Sequence, residues 1–230
     1  MKYSIIIPCY NEKQTIIEIV KRVKLNGLKE QEIIIIDDNS TDGTKKILES
    51  KISKIKNVKI LFNKVNKGKG FCLQRGFKES KGDIIIIQDA DLEYDPKEHK
   101  ALVKPIIENK ADIVYGSRFR GNGPVRVNLF WHRVANALLT TLTNVLTNLS
   151  LTDMETCYKA FKKKSLEGII LKEKRFGIEP EITIKLSKKK LRFFEIGISY
   201  NGRNYDEGKK INIIDGFVAV ICIFRYSFFD

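Results

Sequence analysis

Five short segments of this 230-residue chain, residues 3–7, 32–36, 58–62, 83–87 and 112–115, are dominated by isoleucine and valine rather than by polar–apolar alternation. A strand with one wet face alternates, whereas a continuous apolar run must be covered on both faces. That requirement selects a parallel sheet sandwiched between helical layers. The intervening stretches have helical spacing: residues 15–25 put Ile16, Ile19, Val20 and Val23 on one stripe, followed by residues 42–52, 71–80 and 96–108. Pro96 suits a first helical turn, and Asp42 suits a helix N-cap. Strand alternating with helix predicts right-handed βαβ units and a doubly wound α/β fold.

The second half has a different texture. Residues 129–149 and 177–188 predict helices, residues 192–198 a strand, and a polar glycine-bearing loop runs to Gly208. Residues 211–228 predict a closing apolar or amphipathic helix. With no internal repeat or flexible linker, one domain over residues 1–230 is the economical organisation. The formal charge of +14 calls for an anionic partner, whether nucleic acid, anionic lipid or a phosphorylated substrate. The basic runs at residues 162–164 and 188–190 read as solvated surface. Cys9, Cys72, Cys157 and Cys222 lack metal-ligand spacing and read as buried thiols in a reducing compartment. With no leader pattern and no apolar run of the roughly 20 residues that span a bilayer, a cytoplasmic location is expected.

Polar residues follow the predicted strands repeatedly, and in an open α/β sheet ligands bind beyond the carboxyl ends of the strands. The first runs into Pro8-Cys9-Tyr10-Asn11-Glu12, the second into Asp37-Asp38-Asn39-Ser40-Thr41-Asp42-Gly43, the fourth into Gln88-Asp89-Ala90-Asp91. In extended chain, side chains two apart point the same way, so Asp89 and Asp91 face one spot. Paired carboxylates repel and favour protonation of one partner unless a cation joins them. Oxygen ligands suit Mg²⁺ or Mn²⁺, with Glu93 as a further ligand or simply exposed. Lys67-Gly68-Lys69-Gly70 lacks the full phosphate-loop pattern and reads as a tight helix entry, with Lys69 near a nucleotide.

The ordered set YSIIIPCYNE (3–12), IIIDDNSTDGT (34–44), NKGKG (66–70), GDIIIIQDADLEYDP (82–96) and GSRF (116–119) resembles family 2 inverting glycosyltransferases. TDMETCYKAF (152–161), FGIEPE (176–181) and GRNYDEGKKI (202–211) extend the likeness towards the dolichyl- or polyprenyl-phosphate sugar synthase branch. The resemblance implies a GT-A fold, a nucleotide-diphosphate sugar such as GDP-mannose or a UDP-hexose, Mg²⁺ or Mn²⁺, and inversion. Residues 1–120 would then bind the donor and residues 121–230 serve the acceptor. Carried over residue by residue, Pro8, Tyr10 and Glu12 line the nucleoside pocket, with Ile36 counted among the contacts. Asp38 meets the base or ribose, Asp89 and Asp91 hold the metal, and the Ala90 backbone lies against the donor. Arg118 approaches the diphosphate or sugar, and Arg203 closes over it with Lys209 or Lys210.

The acceptor decides whether a base is needed. A sugar hydroxyl must lose its proton, and Asp153 is the candidate base, with Asp91 and Arg118 completing the expected catalytic set. A polyprenyl phosphate arrives anionic, with a second pKa near ~6, and attacks unaided. Asp153 would then position the acceptor or join the metal. The lipid phosphate is favoured by the family branch, the basic surplus and the closing helix; a saccharide hydroxyl is the alternative. Ile211, Ile214, Phe217, Val218, Ile221 and Phe224 form a stripe on that helix that suits either core or peripheral membrane contact. A nucleotidylyltransferase would carry a Gly-rich basic loop where Pro8 to Glu12 stand. A nucleic-acid-binding protein explains the charge but not the acidic strand ends, so no nucleic acid partner is expected.

Overall fold

Strands β1 (Tyr3–Cys9), β2 (Gln31–Asp37), β3 (Val58–Phe62), β4 (Ile84–Ile87) and β5 (Ile113–Ser117) form at the isoleucine-rich runs. Between them lie helices α1 (Ile16–Lys24), α2 (Thr44–Ser50), α3 (Lys69–Glu79) and α4 (His99–Ile107), the last entered through a 3₁₀ turn at Pro96–Glu98. The second half adds α5 (Phe130–Thr147), β6 (Lys159–Lys162), α6 (Ile178–Ser187), β7 (Phe193–Gly197) and α7 (Ile213–Phe228). This computed structural model describes residues 1–121, 124–127, 129–203 and 213–230.

One seven-stranded sheet runs β3-β2-β1-β4-β6-β5-β7, and strand order reverses beside β1. Every pairing is parallel except those of β6, which is antiparallel to both β4 and β5. Alternate side chains of the central strands enter two separate cores. Ile5, Ile7, Ile33 and Ile35 pack with α1 and α4, while Ile6, Ile34 and Ile36 pack with α3, α6 and α7 residues. Both faces are thus buried, which is why the runs are continuous.

Three local expectations change. Strand β6 has no counterpart in the predicted elements, because lysines stand at both ends of its KAFK segment. Gly43, with φ 99°, takes the N-cap position of α2. Asp42 sits one residue earlier, its Oδ1 accepting from Thr44 N at 2.9 Å. The closing helix resolves into two apolar faces. Ala219, Cys222, Ile223 and Tyr226 are buried, whereas Ile214, Phe217, Ile221 and Phe224 of the expected stripe face outward. Ile211 lies outside the described residues.

Candidate active site

The carboxyl ends of the parallel strands open on a cleft of ≈ 400 Å³. Its wall includes Pro8, Tyr10, Glu12, Asp38, Lys69, Asp89, Ala90, Asp91, Glu93, Arg118 and Arg203, all expected from the sequence. Ile36 is not among them. It is wholly buried on the α3 side of the sheet, where its Cδ1 lies 3.2 Å from the Cβ position of Gly76, so it cannot contact a nucleotide. Lys209 and Lys210 lie outside the described residues. Because β6 runs antiparallel, its entry segment also arrives at this edge and adds Glu155 and Cys157.

Asp91, Glu12 and Glu93 converge on one guanidinium. Arg203 Nη2 stands 3.0 Å from Asp91 Oδ2 and 3.2 Å from Glu12 Oε1. Glu93 Oε1 accepts from Arg203 N at 2.9 Å, and its Oε2 accepts from the Tyr200 hydroxyl at 2.7 Å. The turn carrying these acids is tight. Glu93 N donates to Asp91 Oδ1 at 3.1 Å, and Leu92 is held at φ 66°, a left-handed conformation unusual for a bulky apolar residue. Burial, then the charges of Asp89 and Glu93, push the Asp91 carboxyl up to about 7, against the pull of Arg203.

Crowded carboxylates of this kind are what a hard divalent cation relieves, and oxygen donors match Mg²⁺ or Mn²⁺. Among the described residues, however, no three acidic, His or Cys side chains converge in metal-holding geometry. The expected trio is corrected accordingly. Glu93 is turned to Tyr200 and Arg203, so it does not complete a trio with Asp89 and Asp91.

Asp89 is bound from the other side by Lys69, whose Nζ lies 2.9 Å from Asp89 Oδ1, 2.6 Å from Cys157 Sγ and 3.5 Å from Glu179 Oε1. Burial alone would favour neutral Lys69, but Asp89, Cys157 and Glu179 raise its pKa well above the usual value. Burial and then the Asp89 charge push the Cys157 thiol well up, so it is no thiolate nucleophile. Lys69 sits there because it opens α3 directly after the N-cap Gly68, whose φ of 94° a side chain would resist. Asp38 anchors this turn. Its carboxylate accepts from Asn63 Nδ2 at 2.6 Å, Lys67 N at 2.9 Å and Gly68 N at 2.6 Å. A ribose or base contact would have to share oxygens already bonded.

Asp153 does not stand as a base. It is fully buried, off the cleft wall, and chelates Arg118: Nε to Oδ2 and Nη2 to Oδ1 are both 2.7 Å. Arg118 N and Asn136 Nδ2 add donors at 3.0 and 2.8 Å. Burial would raise the Asp153 pKa, yet Arg118 and these hydrogen bonds hold it below the ordinary value. No oxygen is left to take a proton. Its role is to aim Arg118, whose guanidinium also lies 5.2 Å from the Tyr200 ring centroid.

Two contributors were not among the site residues expected from the sequence. His99 is fully buried, its Nδ1 2.7 Å from Asn26 Nδ2 and its Nε2 2.9 Å from Gln88 Oε1. Gln88 Nε2 in turn donates to the carbonyls of Asp89 at 3.1 Å and Tyr94 at 3.3 Å, bracing the acidic turn from beneath. The second is Glu155, on the wall of the same cleft.

Residues 4–170 match the protein-family model described as "Glycosyl transferase family 2". The chain belongs to that family. It is 33% identical to a dolichol-phosphate mannosyltransferase of Pyrococcus furiosus, over 92% of this chain and 61% of that protein. It is 27% identical to an undecaprenyl-phosphate 4-deoxy-4-formamido-L-arabinose transferase of Proteus mirabilis, over 90% of this chain and 62% of the other. The chain therefore spans about three fifths of the length of these two relatives. Its fold is GT-A. Glucosyl-3-phosphoglycerate synthase from Mycobacterium tuberculosis, solved with Mn²⁺, UDP and phosphoglyceric acid, superposes with TM-score 0.74 at 18% identity, covering 100% of this chain and 79% of that one.

Proposed function

We propose that this family 2 member transfers a hexose, with inversion, from a nucleotide-diphosphate sugar to a polyprenyl phosphate. The observation that carries the reading is a cleft uniting a carboxylate pair, Asp89 and Asp91, with two buried or half-buried arginines, Arg118 and Arg203. Asp89 and Asp91 would hold Mg²⁺ or Mn²⁺, which when bound offsets charge on the donor diphosphate, as the Mn²⁺ and UDP named with the mycobacterial enzyme suggest. Arg203 is already drawn into the cleft by Glu12, Asp91 and Glu93, and a diphosphate offers it stronger acceptors. Arg118, aimed by Asp153, supplies a fixed cation for the leaving group or the incoming phosphate. Pro8, Tyr10 and Glu12 form the nucleoside side of the wall.

The acceptor reading rests on how the expected base is held. With Asp153 chelated by Arg118 and Asp91 committed to the cation, the site favours a nucleophile that is already anionic. A phosphate monoester meets that need, and the two relatives named above are, by name, dolichol-phosphate and undecaprenyl-phosphate transferases.

A lipid acceptor also gives meaning to the outer surface. No described helix is long and apolar enough to cross a membrane. Yet Phe130, Trp131 and Leu138 on α5, and Phe217, Ile221 and Phe228 on α7, stand exposed, Trp131 by 74% and Phe217 by 68%. The two helices pack on each other, each carrying exposed apolar side chains, and the surplus of cations favours an anionic bilayer. Peripheral attachment there would bring the lipid phosphate to the cleft.

The test is product mass from a panel of nucleotide sugars with Mn²⁺ or Mg²⁺ and an undecaprenyl or dolichyl phosphate. A hexosyl phospholipid supports the reading. Transfer only to saccharide hydroxyls overturns the acceptor assignment, and turnover of no nucleotide sugar overturns the whole.

A further inference from the structure

Residues 152–158 enter β6 as an immobilised segment. Thr152 N and Asp153 N donate to Glu195 at 2.9 and 3.3 Å, and Met154 N donates to Thr140 Oγ1 at 3.1 Å. Cys157 N donates to the Tyr94 hydroxyl at 3.4 Å. Lys159, wholly buried, reaches back beneath the turn. Its Nζ donates to the carbonyls of Met154 and Thr156, which flank Glu155, and to Glu179. Glu155 is thus held by the backbone on either side and lines the cleft with Arg118 and Cys157. Its Oε1 is buried and has no hydrogen-bond partner among the described residues. A buried oxygen without a partner is costly, and the carboxyl group that carries this one stands on the cleft wall, where a turn of the carboxyl lets a ligand's hydroxyl pair with it.

We propose that Glu155 is a specificity-determining residue whose carboxyl group hydrogen-bonds hydroxyls of the donor's hexose. This deepens the glycosyltransferase reading and rests on it. The chemistry excludes the other parts of the donor. A carboxyl beside a diphosphate is repelled if ionised, and Glu155 is not one of the paired acids of the β4 turn. A neutral carboxyl has one O–H donor and a carbonyl acceptor, which match a sugar hydroxyl that both gives and takes a proton. The surroundings keep it neutral. Burial, then the charge of Glu179, push its pKa up to about 8, with Asp153 adding to the rise and Lys159 and Arg118 opposing it.

The rival role for the same side chain is a general base for a hydroxyl acceptor, and the two demand opposite protonation states. As a sugar-reading acid, Glu155 works below its pKa, and its contribution falls as pH rises through about 8. As a base it would work above that value.

The experiment is titration calorimetry with Mn²⁺, using UDP, GDP, UDP-glucose and GDP-mannose against the wild type, Glu155→Gln and Glu155→Leu. The Gln amide keeps one donor and one acceptor without a charge. The accepted nucleotide sugar should bind the wild type and Glu155→Gln alike at pH 7, and lose affinity above pH 8 only in the wild type. Glu155→Leu should weaken it by about tenfold or more, equivalent to ~1.4 kcal/mol, while the matching nucleoside diphosphate binds unchanged. Equal affinity for the sugar nucleotide in all three overturns this inference alone. So does a Glu155→Gln protein that binds normally but does not turn over, with wild-type turnover rising through pH 8. Absence of UDP and GDP binding in a folded wild type overturns the donor assignment and this inference with it.

Discussion

Arg118 and Asp153 form a two-pronged ion pair, 2.7 Å at each prong, with Asp153 wholly buried and Arg118 opening onto the cleft. Removing one charge strands the other in low dielectric, so the pair acts as a unit. Asp153→Asn should destabilise the fold by about 3–5 kcal/mol and lower turnover by misplacing Arg118. Thermal melts and initial rates check it, and the pH–rate profile should keep its shape. A folded, equally stable variant lacking the acidic-limb pKa would restore the base role.

His99 gives a pH signature of its own. Burial holds its pKa down at about 3, whereas the unfolded chain titrates near ~6.5. Between those values the unfolded state binds the extra proton, so stability must fall as pH falls. From pH 7 to 5 this single group should remove about 2 kcal/mol. Urea unfolding at both pH values measures it. His99→Gln should start less stable and lose less on acidification; an identical loss would contradict the assignment.

Close approach at the start of α3 gives a third prediction. A Cβ on Gly70 would lie 2.4 Å from the Glu173 carbonyl oxygen, with no flexible side chain to yield. Gly70→Ala should cost about 1–3 kcal/mol and shift Lys69 away from Asp89. A lower melting temperature together with weaker nucleotide binding is expected. An unchanged melt would mean that the segment at residues 173–175 moves freely.

How much of this was legible follows from how local each signal is. The five isoleucine-rich strands declared themselves because burial on both faces leaves no alternation, and the acids after β4 were readable as a pair because extended chain aligns residues two apart. Strand β6 was not readable. Its Lys159 looks like a surface residue until α6 brings Glu179 to it, a contact 20 positions away in sequence. The role of Asp153 stayed open for the same reason: Arg118, 35 residues earlier, decides between a base and a brace. Ile36 was misassigned because sequence position places it near the cleft while strand alternation turns it to the opposite core. Glu155 stands in the motif at residues 152–161, but its place on the cleft wall depends on β6.

The apolar face on α5 and α7 predicts lipid attachment. Replacing Trp131 and Phe217 together with serine should cut binding to vesicles containing anionic phospholipid by about tenfold or more, since two large side chains bury several kcal/mol of apolar area. Vesicle flotation reads the change, and turnover of a water-soluble short-chain acceptor should survive. Undiminished flotation would remove this face from the account.

The central claim is that Asp89 and Asp91 take a divalent cation together with the donor's diphosphate. Calorimetric binding of UDP and GDP with and without Mn²⁺, to the wild type and to Asp91→Asn, tests it most directly. One nucleotide should bind the wild type at least about tenfold more tightly when Mn²⁺ is present, and Asp91→Asn should lose that gain while melting as a folded protein. Equal affinity with and without the ion, or a gain that survives in Asp91→Asn, would contradict it.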